Sequence, residues 1–558
     1  MSDRTDAGDP EVLVAGAGPA GLTAAHELAR RGVRVRVVDE AAGPSVTSRA
    51  LATHARTLEI YDQMGVLAEV LPLGQRVVHF TLHQRGRTLI RFDTNYAALP
   101  TRFPFSLMVD QVKTEHVLRQ SLARHGVPVE WATALTEFDQ DAEGVTAVLR
   151  GPGGTTRQRV AWLIGADGGH SLVRSRLGLP LLGDATETWV NADVVLSGDG
   201  LAPDSNHLLQ TGKGSILLVP FPEHGKWRVV DTAAVTGADD EAVRAALARK
   251  ISRALGRPVT VDKPTWVSEF TAQQRMIPQM RAGRCFLVGD AAHVHSPASG
   301  QGMNAGIQDS VNLAWKLADV VRGHADESLL DSYSAERVPV GRALLGSTRT
   351  ATALVALRAV AAPVAIPAGL AILRNLPPLK RRIEGKIIRG FCGLALNYRE
   401  SPLSGAVAEP DRPGPQPGDR IACDEQSVLV SAGWQRMCEE LRDPRWTLLA
   451  CPQVSGADDP VAEVARAHGA AVSVRVVTET GGQAADLAEP LADPGGFLRR
   501  DLGLKPGECA LIRPDGYLAA VSRLSEMTGL LHDRGLRPGR PVTRTEAHDG
   551  DHRPVLAD

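Results

Sequence analysis

A short β-rich run, Glu11 to Ala15, leads directly into Gly16-Ala17-Gly18-Pro19-Ala20-Gly21, after which Leu22 to Arg31 has the pattern of a helix. Val33 to Val38 alternates into a second strand that ends at Asp39, with Glu40 beside it. Strand, tight turn, helix and strand in that order are the context that turns a glycine pattern into a dinucleotide-binding expectation. The glycines let the backbone approach a pyrophosphate, and the amides of the helix beginning near Gly18 face it with a favourable dipole. An acidic side chain at Asp39 accepts hydrogen bonds from both adenosine ribose hydroxyls and repels the extra phosphate of NADP, which leaves FAD or NAD. A glycine turn that only packs a helix on a strand is the alternative.

With 558 residues the chain exceeds one hydrophobic core, and about three domains are expected. Its formal net charge of -2 carries no basic excess to neutralise a phosphate backbone, so nucleic acid is not expected as a partner. The cysteines (Cys285, Cys392, Cys423, Cys438, Cys451, Cys509) form neither a CxxC pair nor a ligand-like cluster. A reducing cytoplasm fits that usage, and the polar, acidic start leaves no room for a secretion signal. Thr350 to Leu376 is long and apolar, but Arg358, Pro363, Pro367 and Arg374 favour buried helices over a membrane span.

Further along, Arg56 to Glu69 and Thr114 to Arg124 have helical periodicity, and Val129 to Leu149 has that of strands with polar turns. Strand-like runs dominate Thr188 to Phe270, with a charged helix at Asp240 to Leu255. A buried strand at Arg284 to Gly289, a loop to Asn304 and a helix over Ala305 to Arg322 return the chain to its first domain. Four prolines and two glycines between Glu409 and Asp419 suit a linker. Beyond it, strands (Ser427 to Val430, Trp446 to Ala450, Val472 to Val477, Cys509 to Ile512, Leu518 to Val521) alternate with helices before a polar tail.

Two further segments each follow an apolar strand: Gly165-Ala166-Asp167-Gly168-Gly169-His170-Ser171-Leu172-Val173-Arg174, and Gly289-Asp290-Ala291-Ala292-His293 running on to Pro297, Gly300, Gln301, Gly302, Met303 and Asn304. With the first glycine turn, these resemble the three fingerprints of the group A flavoprotein monooxygenases, the class of p-hydroxybenzoate hydroxylase and phenol hydroxylase. Blocks at Ser48 to Leu51, His54 to Glu59, Asp110 to Glu115, Asp309 to Leu317, Phe391 to Ser404 and Arg513 to Tyr517 extend the resemblance over nearly the whole chain. It is closest to the hydroxylases and Baeyer-Villiger enzymes that tailor bacterial aromatic polyketides.

The resemblance implies an α/β fold: a Rossmann-like FAD-binding domain (1–187 and 271–350), a middle β-sheet substrate domain (188–270), a helical segment and linker (351–411), a thioredoxin-like domain (412–530) and a tail (531–558). It implies non-covalent FAD held by Gly16, Gly18, Pro19, Ala20, Gly21, Asp39, Glu40, Arg49, Gln111, Asp167, Gly289, Asp290, Pro297, Gly300, Gly302, Met303 and Asn304. Asp290 would bond a ribityl hydroxyl, and Arg49 and Gln111 would lie near the pyrophosphate and ribityl region. Pro297, Gly300 and Gly302 would form the catalytic loop, whose amides face the N1 and C2 carbonyl edge of the isoalloxazine and stabilise the reduced anion. Asp167 and Arg174 belong to a block with mainly structural duty. NADPH or NADH would dock transiently, there being no second complete nucleotide-binding unit. His293 and His295 lack a third ligand for a metal. The terminal domain, lacking CxxC, would be structural or dimer-forming, in a monomer or homodimer.

The implied reaction is insertion of one oxygen atom from O2 into a polycyclic aromatic substrate through a flavin C4a-hydroperoxide shielded from water. Hydroxylation is the first expectation; Baeyer-Villiger oxygenation, epoxidation and a non-catalytic FAD-binding protein are the alternatives. Trp189, Asn191, Leu217, Val219, Phe221, Trp266 and Phe270 are pocket candidates on the middle sheet, and strand alternation would turn about half of them into the domain's own core.

Overall fold

The computed structural model describes residues 8–93, 100–198, 200–212, 214–234, 237, 239–295, 300–356, 376, 378–379, 392–405, 412–452, 460–479 and 488–538. The chain forms two compact units. One comprises Met1–Ala29, Arg34–Val311 and Arg337–Ala395; the other comprises Arg30–Val33, Asn312–Glu336 and Leu396–Asp558.

The first unit is built on a six-stranded sheet in the order Arg281–Ala282, Cys285–Leu287, Trp162–Gly165, Val12–Ala15, Val35–Val38, Val129–Glu130. The strands from Cys285–Leu287 to Val129–Glu130 run parallel, edge strand Arg281–Ala282 is antiparallel, and Val12–Ala15 and Trp162–Gly165 are buried along their whole length. That double-sided burial is why they are continuous apolar runs rather than alternating ones. All three fingerprint turns follow strands of this sheet at their C-terminal ends, where open α/β sheets bind ligands.

A nine-stranded, mostly antiparallel sheet is the other frame of this unit. Its centre is Leu182–Ser197, paired on one side with Trp266–Met276 and on the other with Lys226–Asp231, followed by Ser215–Pro220 and Ser205–Gln210. Two further strands, His79–Gln84 and Arg87–Asp93, come from far ahead of the span 188–270, a recruitment that local patterning does not signal. Helix Asp240–Leu255, capped by Asp239 at its start and by left-handed Gly256 at its end, covers one face through Val243, Leu247 and Ile251.

The second unit holds a five-stranded sheet with Trp446–Cys451 at its centre. Val472–Thr478 and then Glu489–Ala492 pair parallel on one side, and Glu508–Ile512 and then Leu518–Arg523 pair antiparallel on the other. Residues 312–336 belong to its interior: Trp315, Ala325 and Leu329 join Trp446, Leu448 and Val474 in one buried cluster, and the rings of Trp315 and Trp446 meet edge to face at 5.1 Å. Ser427 to Val430, expected as a strand, lies in helix Glu425–Val430. The Asp424 carboxylate accepts from the Ser427 amide at 2.7 Å, a capping signal that outweighs a short apolar run equally suited to either state. No helix among the described residues is long and apolar enough to cross a membrane. Residues 357–375 of the apolar stretch lie outside the described residues.

Candidate active site

The first turn is shaped by backbone crowding. A Cβ on Gly16 would lie 2.3 Å from the Ala166 carbonyl oxygen, and one on Gly21 would lie 1.9 Å from that of Gly16. At Gly18 a Cβ would meet nothing within 4 Å, so the turn is uncrowded there. This division of labour fits a bound pyrophosphate: two glycines close the turn and one leaves room for the ligand. Asp39 holds the rim, accepting from the Ala17 amide at 2.7 Å and the Ala41 amide at 2.9 Å. Each carboxylate oxygen keeps acceptor capacity for a ribose hydroxyl.

A cavity of about 760 Å3 adjoins Asp39, and its walls include Glu40, Arg49, Gln111, Ala132 and Arg150. Ala132 holds φ at +50°, a conformation rare outside glycine, pinned because its amide donates to Ala41 and the next amide to Asp39. Neither Ala132 nor Arg150 is singled out by sequence reasoning, since an alanine and a strand arginine carry no motif. Gln111 lines the cavity, but its carboxamide is engaged within the protein: Ala50 donates to Oε1 at 2.9 Å, and Nε2 donates to Glu115 at 2.8 Å.

The other two fingerprints are tied together. Asp167 accepts from the Val173 amide at 3.1 Å, while Arg174 donates to the carbonyls of Gly169 (2.8 Å) and Ala291 (3.1 Å). Gly289, at φ +58°, brings its turn against Ala20 of the first helix. Asp290 is exposed to water yet surrounded by protein; burial raises its carboxyl above the usual range, and His293 and Arg49 oppose the rise. Arg49 and Asp290 thus face one another's field across the groove.

Asp309, which the sequence places in a block without giving it a role, is the support of this turn. Its Oδ2 accepts from the Gly289 amide at 3.1 Å and from His293 Nε2 at 2.6 Å, and its Oδ1 from Arg337 at 2.7 Å. Burial would raise its carboxyl, but Arg337 and His293 hold it at about 2. His295 hydrogen-bonds His293 at 2.8 Å, and burial, with His293 adding to it, pushes its imidazole down to about 3. Among the described residues no group of three or more His, Cys, Asp or Glu is arranged to hold a metal.

Pro297 lies outside the described residues. Gly300, at φ +62°, packs against Ala52, and the helix starts at Gly302, with Met303 in its first turn. Asn304 is buried with its amide engaged, donating to Ala52 and Gly300 carbonyls (2.9 and 2.8 Å) and accepting from the His54 amide (2.9 Å). Its side chain therefore holds the loop, and the amides of the helix start are what remains for a ligand.

The seven middle-sheet candidates lie on a single face. The registers place Trp189 opposite Phe270 and Asn191 opposite Val230, and Val230 opposite Leu217; Val219 and Phe221 follow at two-residue steps. None points under the covering helix; Trp189 and Leu217, with Val219 and Phe270 packed against them, lie in a buried apolar cluster on the opposite face, and Phe221 lies in another. On the same face the buried Arg228 makes a bidentate pair with Asp193 (2.8 Å twice) and donates to the carbonyls of Ser48 and Arg49 (3.0 Å each). It stacks over Phe221 and Trp266. This face thus looks onto the segment that borders the nucleotide groove, through an arginine that no sequence pattern marks.

Comparison with known proteins gives these features a context. The FAD binding domain family matches residues 9–348. A 6-methylpretetramide 4-monooxygenase from Streptomyces rimosus is 57% identical over 526 residues, 94% of this chain and 93% of the relative. Among solved structures, OxyS anhydrotetracycline hydroxylase from the same organism has a TM-score of 0.72 at 28% identity, covering 95% of this chain and 99% of that one. A ternary complex of aklavinone-11 hydroxylase with FAD and aklavinone has a TM-score of 0.73 at 26% identity, covering 96% and 100%. The chain belongs to the FAD binding domain family and is a flavin-dependent aromatic monooxygenase that draws its electrons from NAD(P)H.

Proposed function

We propose that the substrate is a fused-ring aromatic polyketide of the tetracycline type and that the reaction is ring hydroxylation. The observation that carries this reading is 57% identity over almost the full length to an enzyme named for hydroxylating 6-methylpretetramide. The test is to supply purified enzyme with NADPH, 18-O labelled dioxygen and 6-methylpretetramide. One labelled oxygen on an intact ring system supports the reading; a ring-expanded ester or unchanged substrate overturns it.

In this reading the Gly16 to Gly21 turn, including Pro19 and Ala20, receives the pyrophosphate of FAD, Asp39 its ribose and Asp290 its ribityl chain. Arg49, exposed at the groove, neutralises phosphate charge. The amides of Gly300, Gly302 and Met303 would face the electron-rich edge of the ring system. When bound, FAD supplies the hydride acceptor and the site of O2 activation. The protein's part is to orient the cofactor, exclude water and hold charge: Asp309 fixes the Gly289 turn, while Asp167, Gln111 and Asn304 fix the surrounding backbone. Asp290→Ala is expected to purify without flavin colour, and full flavin absorbance in that variant refutes its role.

We also infer a thioredoxin-like fold for the C-terminal sheet, without dithiol chemistry. Burial pushes the thiols of Cys451 and Cys509 up to about 11 and about 12, far from a reactive thiolate. A cytoplasmic monomer or homodimer suits this usage.

A further inference from the structure

The two faces of the nine-stranded sheet treat polar side chains in opposite ways. On the helix-covered face they are matched: Thr81 with Ser205 at 2.8 Å, His83 with His207 at 2.9 Å, Asp231 with Lys250 at 2.6 Å. On the opposite face, whose central apolar side chains are buried as well, Asn191 Oδ1, Asn206 Oδ1, Gln210 Nε2 and Ser215 Oγ are buried without a hydrogen-bond partner. Asn191 and Gln210 are 7% and 8% exposed, and neither carboxamide is bonded at either end to any described residue. An unmet buried amide is costly, and several on one face of one sheet mark groups whose partner is a ligand.

Register fixes their arrangement. Asn191 lies in a row with Val230, Leu217 and Leu208 on successive strands, and Gln210 lies two residues beyond Leu208, opposite Ser215. Asn191 and Gln210 are therefore separated by three inter-strand steps and two residues along the strand, roughly 15 Å. Between them the face is apolar: Trp189, Val230, Leu217 and Leu208. Arg228 on the same face is already engaged with Asp193 and two carbonyls, so it is unavailable for such a role.

We propose that Asn191 and Gln210 are specificity residues, two carboxamides at opposite ends of an apolar floor that hydrogen-bond oxygen substituents at the two ends of a flat multi-ring substrate. Asn206 and Ser215 extend this polar frame. The assignment deepens the proposed function and rests on that reading. A carboxamide both donates and accepts, which suits phenol and quinone or amide carbonyl oxygens alike. Selectivity follows because a substrate lacking an oxygen leaves the amide unmet.

The test uses FAD-loaded wild type, Asn191→Leu and Gln210→Met, with 6-methylpretetramide as the probe. Three quantities are read: flavin content, melting temperature without the probe, and probe dissociation constant from flavin absorbance changes. The expected result is unchanged flavin content, an unchanged or raised melting temperature because an unmet polar group has gone, and affinity weakened roughly tenfold in each variant. Unchanged affinity in both variants overturns the proposal, as does a fall of several degrees in melting temperature, which would mean that the amides serve the fold. Should the leucine variant not fold, Asn191→Asp keeps the shape and removes the donor: weakened binding supports the assignment and full affinity overturns it. Wild type that fails to bind the probe overturns the substrate reading together with this one, whereas wild type that binds while the variants match it overturns this one alone.

Discussion

Buried polarity is handled very differently in the interior of the second unit and on the face of the nine-stranded sheet opposite its covering helix. In the former, Glu336 Oε1 accepts from Arg513 (2.6 Å) and Ser401 (2.5 Å), and Oε2 accepts from Arg513 (2.9 Å), Lys316 (2.7 Å) and Asn312 (2.7 Å). Asp515 takes the remaining fork of Arg513 at 2.9 and 2.6 Å. Burial alone would push the Glu336 carboxyl up, but Arg513 and Lys316 hold it well below the usual carboxylate range. On the sheet face, by contrast, the polar atoms wait unmatched. A closed network specifies a fold, whereas an unclosed one at equal burial specifies what must come from outside.

That distinction breaks first at Glu336. Glu336→Leu takes its carboxylate partner from buried Lys316 and leaves Arg513 with Asp515 alone, and denaturant unfolding should report a loss of about 3–5 kcal/mol; a loss below about 1 kcal/mol would mean the network is not load-carrying. On the sheet face the Asp193–Arg228 pair is a closed element. Asp193→Leu should cost about 3 kcal/mol and lower flavin retention as the tether to Ser48 and Arg49 loosens; adding Arg228→Met should recover much of the stability, since the stranded charge is then gone. If the double variant is no better than the single one in thermal melts, charge burial is not the cause.

The covered face is open to acid. Burial, with His207 adding to it, lowers the His83 imidazole to about 4. Between that value and the unfolded value near 6.5 the unfolded chain binds the extra proton, so stability is present above about pH 6.5 and lost as pH falls through the window. Melts at pH 7 and pH 5 should differ by roughly 1–2 kcal/mol on account of His83, and His83→Gln should reduce the difference while the lowered His295 keeps its own share. The smallest effect is expected at Ser215→Ala: its hydroxyl has no partner, so unfolding should shift by less than about 0.5 kcal/mol. A loss above about 1.5 kcal/mol would place a hidden partner there.

The nucleotide-binding turns were legible because their physics is local. Gly16 and Gly21 are demanded by contacts with backbone a few residues away or beside the adjoining strand, and Gly289 by its own positive φ, so the chemistry is written where the eye finds it. Asp39 and Asp290 follow their strands by one and three residues. The supports were not legible. Asp309 holds a turn twenty residues earlier, Arg228 reaches back to Ser48, and the strands 79–93 join a sheet whose other members start a hundred residues later. Pairings at that separation leave no periodicity in a window of sequence. The middle-sheet candidates were half legible: alternation puts them on one face, but which parity lies opposite helix Asp240–Leu255 depends on where that helix packs.

The membership of 312–336 in the second unit bears on how such a chain could be shortened or recombined. A gene cut after residue 395 would keep every nucleotide-binding turn while leaving Trp315, Ala325 and Leu329 bare to water, with Lys316 and Glu336 stripped of Arg513. The C-terminal third is thus no detachable cassette, and an exchange between relatives would have to carry that inner pair of segments along with it.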